Sequence, residues 1–406
     1  MEYISKVYYK DFKNHQKIYK NRYEFEATLR LDLKINPYRT NENLNLYYVF
    51  NNKTSRYLDL VRENDNRLNE IELKLPEVAK KSLLKDIISS ELQSSNELEG
   101  VESSREQIAE TTREIIENKK LTNDRLVSMI KSYIYLSGED MLKLPEDSKD
   151  IRKIYDNITK GELEKDCIPD GKIFRENAIY IQKKNTVSGE CIHEGVLGED
   201  NISEHIGMML NFLNDNEIPL LLRTAIGHYY FGYIHPFYDG NGRTGRFISS
   251  MYIKKDYGYL TAMSLSRGSF LKKNEYYKAF DITNSVKNKG ELNYFVDTFL
   301  SILIEGQFDI IENLVDKVEK LDKIHTKIMN DNILDTDIKK DIMFILSQDY
   351  YFNYNNGIKR EEIVGYLDEY YAKTTRDEIS DLEQEGLIIK VKGRPIIYCA
   401  NSNYFE

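Results

Sequence analysis

His235-Pro236-Phe237-Tyr238-Asp239-Gly240-Asn241-Gly242-Arg243-Thr244-Gly245-Arg246 brings an imidazole, a carboxylate, three glycines, an amide and two guanidinium groups into twelve residues. Gly240 and Gly242 lack Cβ, so the backbone there can take positive φ and turn its N–H groups inward. Successive N–H groups facing one concavity make an anion nest. The residues that follow suit a helix start, which sets the nest at a positive dipole end. Arg243 and Arg246 lie three apart, on one face of a first turn, where both can hold phosphate oxygens. Asp239 is a hard oxygen ligand suited to Mg²⁺, which takes one or two carboxylates plus substrate phosphates. His235 stands four residues before Asp239 and titrates near neutrality, so it is the candidate general base. The stretch therefore describes a polyphosphate cradle with its own base and metal ligand.

Outward from this stretch the chain is helical. Residues 219–234 are nearly all apolar, as expected for the buried centre of a helix bundle, and they deliver His235 at their C-terminal end. His228, inside that run, is read as a core histidine. Residues 202–213 and 247–259 have the spacing of flanking helices, and 295–310 are amphipathic and would close the core. Residues 79–100 also step as a helix through Leu83, Leu84, Ile87, Ile88, Leu92 and Leu98, with Gly100 as the stop. Two β-leaning segments, 178–181 and 191–193, flank the turn residues Ser188-Gly189-Glu190 and predict a hairpin.

The central stretch matches every fixed position of HxFx(D/E)GNGRxxR and resembles the signature of the Fic (filamentation induced by cAMP) domain family. Neither the Walker P-loop nor G-x-G-x-x-G carries its own His and Asp. The resemblance covers roughly residues 80–310. It implies a mainly α fold: a Fic-type helical bundle core with a β-hairpin flap, and a small winged-helix α+β domain at the C-terminus. The expected boundaries are an N-terminal region at 1–78, the Fic domain at 79–320 with an inhibitory helix around 80–100, and the winged helix at 335–406.

The implied activity is protein adenylyl transfer (AMPylation) to a Tyr, Thr or Ser hydroxyl, with ATP as substrate and Mg²⁺ as cofactor; the alternative is a nucleotide-sensing or DNA-binding regulator that uses the winged helix without turnover. His235 would be the catalytic base and Asp239 the metal ligand. Gly240, Asn241, Gly242 and Gly245 would form the cradle, with Arg243 and Arg246 on the outer phosphates. The intact Gly242-Arg243 pair separates the motif from the Doc-like kinase branch, which has lysine there. Tyr276 and Tyr277 fall where family members line the adenine side; helix packing is the alternative. Ser95-Asn96-Glu97-Leu98-Glu99-Gly100 is similar to the family's inhibitory motif, (S/T)xxxE(G/N), and its place ahead of the catalytic motif is the class II arrangement. It implies that Glu99 pairs with Arg246 and competes with the γ-phosphate. The hairpin, placed at 186–193, would seat an extended target segment by backbone pairing; an ordinary structural hairpin is the alternative.

Composition limits the partners. The net charge of −10 and pI near 5.4 argue against non-specific binding to nucleic acid or anionic membranes. Cys167, Cys191 and Cys399 are scattered and odd in number, which suits neither a disulfide framework nor a zinc set. With no apolar h-region at the start and no long apolar run, a cytoplasmic protein without membrane spans is expected. The second helix of the winged helix is acidic, with Arg376 nearly its only cation, so protein contact or homo-oligomerisation is preferred to DNA there. The expected partner is a protein substrate, the chain itself included.

Overall fold

The computed structural model describes residues 1–116, 126–138, 142–182, 191–353 and 355–405. The chain divides into two compact units, one of Met1–Leu68 with Ile88–Asp309, the other of Asn69–Ile87 with Ile310–Glu406. Among the described residues no helix is long and apolar enough to cross a membrane.

The first unit is built around the helix Leu220–Ile234, whose residues are buried on all sides except at Gly232. It packs against Glu199–Leu213 and Asn241–Lys254. Its sequence is apolar around the whole circumference, so it has no solvent face and can only be a central helix. Phe295, Val296, Phe299 and Leu300 close the same core. The expected helix at 247–259 begins earlier and ends earlier, at Asn241–Lys254. The motif itself is therefore the first turn of this helix. Gly240 stands at its N-cap with φ +77°, a left-handed conformation that glycine adopts without a Cβ clash.

Tyr180–Gln182 and Cys191–Glu194 pair antiparallel, with Tyr180 opposite Glu194 and Ile181 opposite His193. These are the two arms of the predicted hairpin. The expected flap at 186–193 lies largely outside the described residues, which resume at Cys191. A second two-stranded sheet, Thr28–Ile35 with Leu44–Val49, sends Leu31, Leu33 and Leu46 into the core. Its first strand begins at Thr28, since Tyr23 and Glu24 still belong to the helix Phe12–Glu24.

The second unit holds Asp337–Phe352, Ile358–Lys359, Arg360–Tyr366, Ala372–Gln384, Ile388–Gly393 and Ile396–Ala400 in that order. Ile396–Ala400 is the central strand of three, antiparallel to both neighbours. Helix, strand, two helices and a hairpin wing make a winged helix. Arg376, on its second long helix, pairs with Glu361 at 2.6 Å.

Candidate active site

The central helix stops at His235, which takes φ 51° and ψ 62°. A left-handed residue that is not glycine costs about 1–2 kcal/mol, so the surroundings must hold it. Arg175 does so. Its guanidinium is fully buried and donates to His235 O (2.8 Å), Ile234 O (3.3 Å), Val196 O (2.8 Å) and Asn177 O (2.6 Å). The His235 Nδ1 lies 3.3 Å from Gly232 O, which leaves the other ring nitrogen for chemistry. Burial, with His193 and Arg175 adding to it, lowers the imidazole to about 4. The ring is neutral at pH 7, the form a general base requires.

The first-turn N–H groups of Asn241, Gly242 and Arg243 precede the first intrahelical bond, from Thr244 N to Gly240 O (3.0 Å). They form the nest expected at a helix N-terminus. A carboxylate already sits over it. A Cβ built on Gly242 would lie 1.9 Å from Glu99 Oε1 and 2.7 Å from its Cδ. Glu99 Oε1 is 2.9 Å from Arg246 Nη2. Arg246 also donates to Ser95 O (2.8 Å) and to Ser95 Oγ (3.1 Å). These contacts cap the helix Glu77–Glu99 with a cation, which a C-terminal dipole end favours. The Tyr277 hydroxyl donates to Leu98 O at 2.6 Å, a second tie on the same helix end. Further back along that helix, fully buried Glu91 accepts from Ser266 N (3.0 Å) and Arg267 N (3.3 Å), and burial pushes its carboxyl up to about 7.

Glu99, His235, Asn241, Gly242, Gly245 and Arg246 all line one cavity of about 490 Å³, and so do Tyr276 and Tyr277. Ile181, Gln182, Ile192 and His193 of the hairpin arms line it too. That volume falls in the range of small-ligand sites, about 300–1,000 Å³. Gly245 permits its floor, since a Cβ there would meet Phe231 Cδ1 at 3.0 Å.

Three of the expected ligand residues have protein partners in this structure. Arg243 is buried, ion-paired with buried Glu162, and 3.6 Å from Asp239 Oδ2. Its guanidinium braces two carboxylates in this structure, whereas the expected contact was with an outer phosphate. The Asn241 amide is occupied on both sides by Phe237, accepting from its N–H (3.0 Å) and donating to its carbonyl (2.7 Å). Its side chain therefore closes the loop, and the nest is backbone. Tyr276 points its hydroxyl at His228 Nε2 (2.8 Å), whose Nδ1 meets Ser249 Oγ at 2.9 Å. It lines the cavity with its ring and packs the core with its oxygen. His228 is buried in this network, and burial lowers it to about 3.

Asp239 is half-exposed, accepts from Gly240 N at 2.6 Å and is off the cavity wall. No group of three or more His, Cys, Asp or Glu able to hold a metal occurs among the described residues. One hard carboxylate fits Mg²⁺ that arrives with a phosphate ligand and completes its shell with phosphate and water oxygens.

Arg175, Glu162 and Glu91 were missed from the sequence, where each is one charged residue among many. Asn274, Asp281 and Asn284, on the cavity wall with Tyr277, were missed too. Their spacing of three, four and three is a helical signal that could have found them.

Gly242→Ala tests the seat of Glu99 without reference to any reaction. In the parent the new methyl group meets the carboxylate, and the expected loss is about 1–3 kcal/mol. In a Glu99→Gly background the remaining close contact is Arg246 Nη1 at 2.9 Å, so the loss should shrink. A double-mutant cycle by denaturant unfolding reads the difference. Equal losses in the two backgrounds would mean that Glu99 does not occupy the nest.

Residues 145–253 match the Fic/DOC family. Among solved structures, a Fic family protein from Desulfovibrio desulfuricans G20 superposes with a TM-score of 0.51 at 16% identity, over 87% of this chain and 97% of that one. Fic-1 from C. elegans gives 0.41 at 17% identity, over 66% and 74% of the two chains. A Fic domain containing signaling protein from Bacteroides thetaiotaomicron VPI-5482 gives 0.42 at 16%, over 63% and 97%. At such identity the likeness to the Desulfovibrio protein is one of fold. With the matched segment spanning His235, the nest and both arginines, the chain carries a Fic/DOC family domain at residues 145–253.

Proposed function

We propose that this protein is an adenylyltransferase that moves AMP from ATP to the hydroxyl of a protein Tyr, Thr or Ser, on itself or on a target, and releases pyrophosphate. The observation that carries the proposal is the meeting of the His235 imidazole, the Gly242 nest and Arg246 on one cavity. A base and an anion site that share one bound molecule suit phosphoryl-centred transfer. The acceptor proton goes to neutral His235 while the acceptor oxygen bonds to the α-phosphorus. The bond from that phosphorus to the bridging oxygen breaks, and pyrophosphate leaves. The first-turn amides at Gly242 and Arg243 hold the inner phosphates without reorganising, the preorganisation that lowers such barriers. Asp239, steadied by Arg243, would hold Mg²⁺, which when bound neutralises charge on the phosphates.

Arg246 takes the outermost phosphate only when Glu99 leaves it, because both need the same guanidinium edge. The resting chain is therefore autoinhibited. Incubation with α-labelled ATP and Mg²⁺, followed by intact-mass analysis of the parent and Glu99→Gly, tests the reading. One adenylate added to the chain or to an added acceptor supports transfer. ATP binding by Glu99→Gly with no label on any protein would favour a nucleotide sensor without turnover.

A further inference from the structure

Arg175 lies outside the catalytic motif, sixty residues before His235, and lines no part of the cavity. Its guanidinium nevertheless makes four hydrogen bonds around His235. Two of its bonds reach the flanks of the hairpin, Val196 O after the second strand and Asn177 O before the first, and two reach the end of the central helix, Ile234 O and His235 O. Its own N–H donates to Pro236 O at 3.2 Å, and Val196 N donates to Ile234 O at 3.0 Å. The fit is tight, since a Cβ on Gly195 would stand 2.5 Å from Arg175 Nη2 and 3.1 Å from His235 Cβ. Among the described residues no hydrogen bond of this buried cation goes to a carboxylate. Its hydrogen bonds go to backbone carbonyls, two of them at the negative end of the central helix, where a cation is favoured, and the Asp170 and Glu194 carboxylates favour the charge through space.

We infer that Arg175 is the positioning residue of the base: it locks the left-handed turn at His235 and fixes the distance between the imidazole and the hairpin arms. The inference rests on the transferase reading. An acceptor seated along the hairpin then meets the base at one separation, and a displacement of about 1 Å in such a geometry costs on the order of 10² in rate. A planar fork with five donors can satisfy four carbonyls at once, whereas an ammonium on a flexible stem cannot.

The test uses the full chain carrying Glu99→Gly, with Arg175→Met and Arg175→Lys added. Amide hydrogen exchange is read at His235 and Val196, and transfer is expressed per ATP-binding site counted by calorimetry. Arg175→Met is expected to raise exchange at both amides at least tenfold, and to lower per-site turnover by on the order of 10² with ATP affinity within about twofold. Arg175→Lys should fall between the two. Unchanged exchange at both amides would overturn the inference, and so would faster exchange with per-site turnover unchanged, which is the signature of a purely structural residue. If the Glu99→Gly parent transfers nothing, the transferase reading fails, while the exchange result still decides whether Arg175 locks the turn.

Discussion

Transfer by His235→Ala should fall by on the order of 10²–10⁴, the usual contribution of a positioned base, while ATP binding persists. The separation of the two effects follows from the geometry. On the proposed reading the first-turn amides and Arg246 hold the phosphates, and none of those groups bonds to the imidazole ring. The same geometry predicts the pH profile. Because burial holds the ring at about 4, its protonated fraction at pH 6 is already small. Glu99 is among the groups that raise the ring, so transfer by the Glu99→Gly chain should lose its rate only at about pH 4 or below and run flat above it. A solvated histidine would instead give a limb near its ordinary value of about 6.5. Rapid-quench labelling across that range separates the two, and a His235→Ala chain that still transfers would remove the imidazole from the mechanism.

Glu99→Gly should raise labelling by at least about tenfold, and its cost should appear in stability. Arg246 is buried, and its bonds to Ser95 remain in the variant, yet the opposing carboxylate is gone. Removing one partner of a buried pair costs about 3–5 kcal/mol when the charge is left alone. The Ser95 contacts should hold the loss to the low end of that range. The variant is thus expected to melt below the parent without nucleotide and to recover with ATP, because a phosphate restores the missing anion and binding adds RT ln(1 + [L]/Kd). Calorimetric scans with and without ATP check this beside the labelling assay. A variant that labels no faster than the parent would mean that Glu99 is not what limits the site.

Much of the site was legible in the chain because its groups are local. Residues 235–246 are consecutive, and the turn at Gly240, the helix start at Asn241 and the one-face placement of Arg243 and Arg246 follow from backbone rules that act over one or two turns. The central helix was equally plain, since an all-apolar run has no solvent side to offer. Even so, residue type misled within the motif. Arg243 and Asn241 have the chemistry of phosphate ligands, yet Glu162 and the Phe237 backbone engage them first. The hairpin arms were found from their turn residues, but that residues of both arms line the cavity was not.

What the amino-acid order determined alone is therefore the chemistry on offer and its local frame: an imidazole at a helix end, a glycine nest, and a glutamate closing an earlier helix. Tertiary structure decided which charges meet. Glu99 with Arg246, Glu162 with Arg243, and Arg175 with the His235 carbonyl join residues 147, 81 and 60 positions apart. Sequence spacing orients side chains only along one element. Across elements, the pairing of buried charges depends on how helices pack and on the cost of leaving any of them alone out of water.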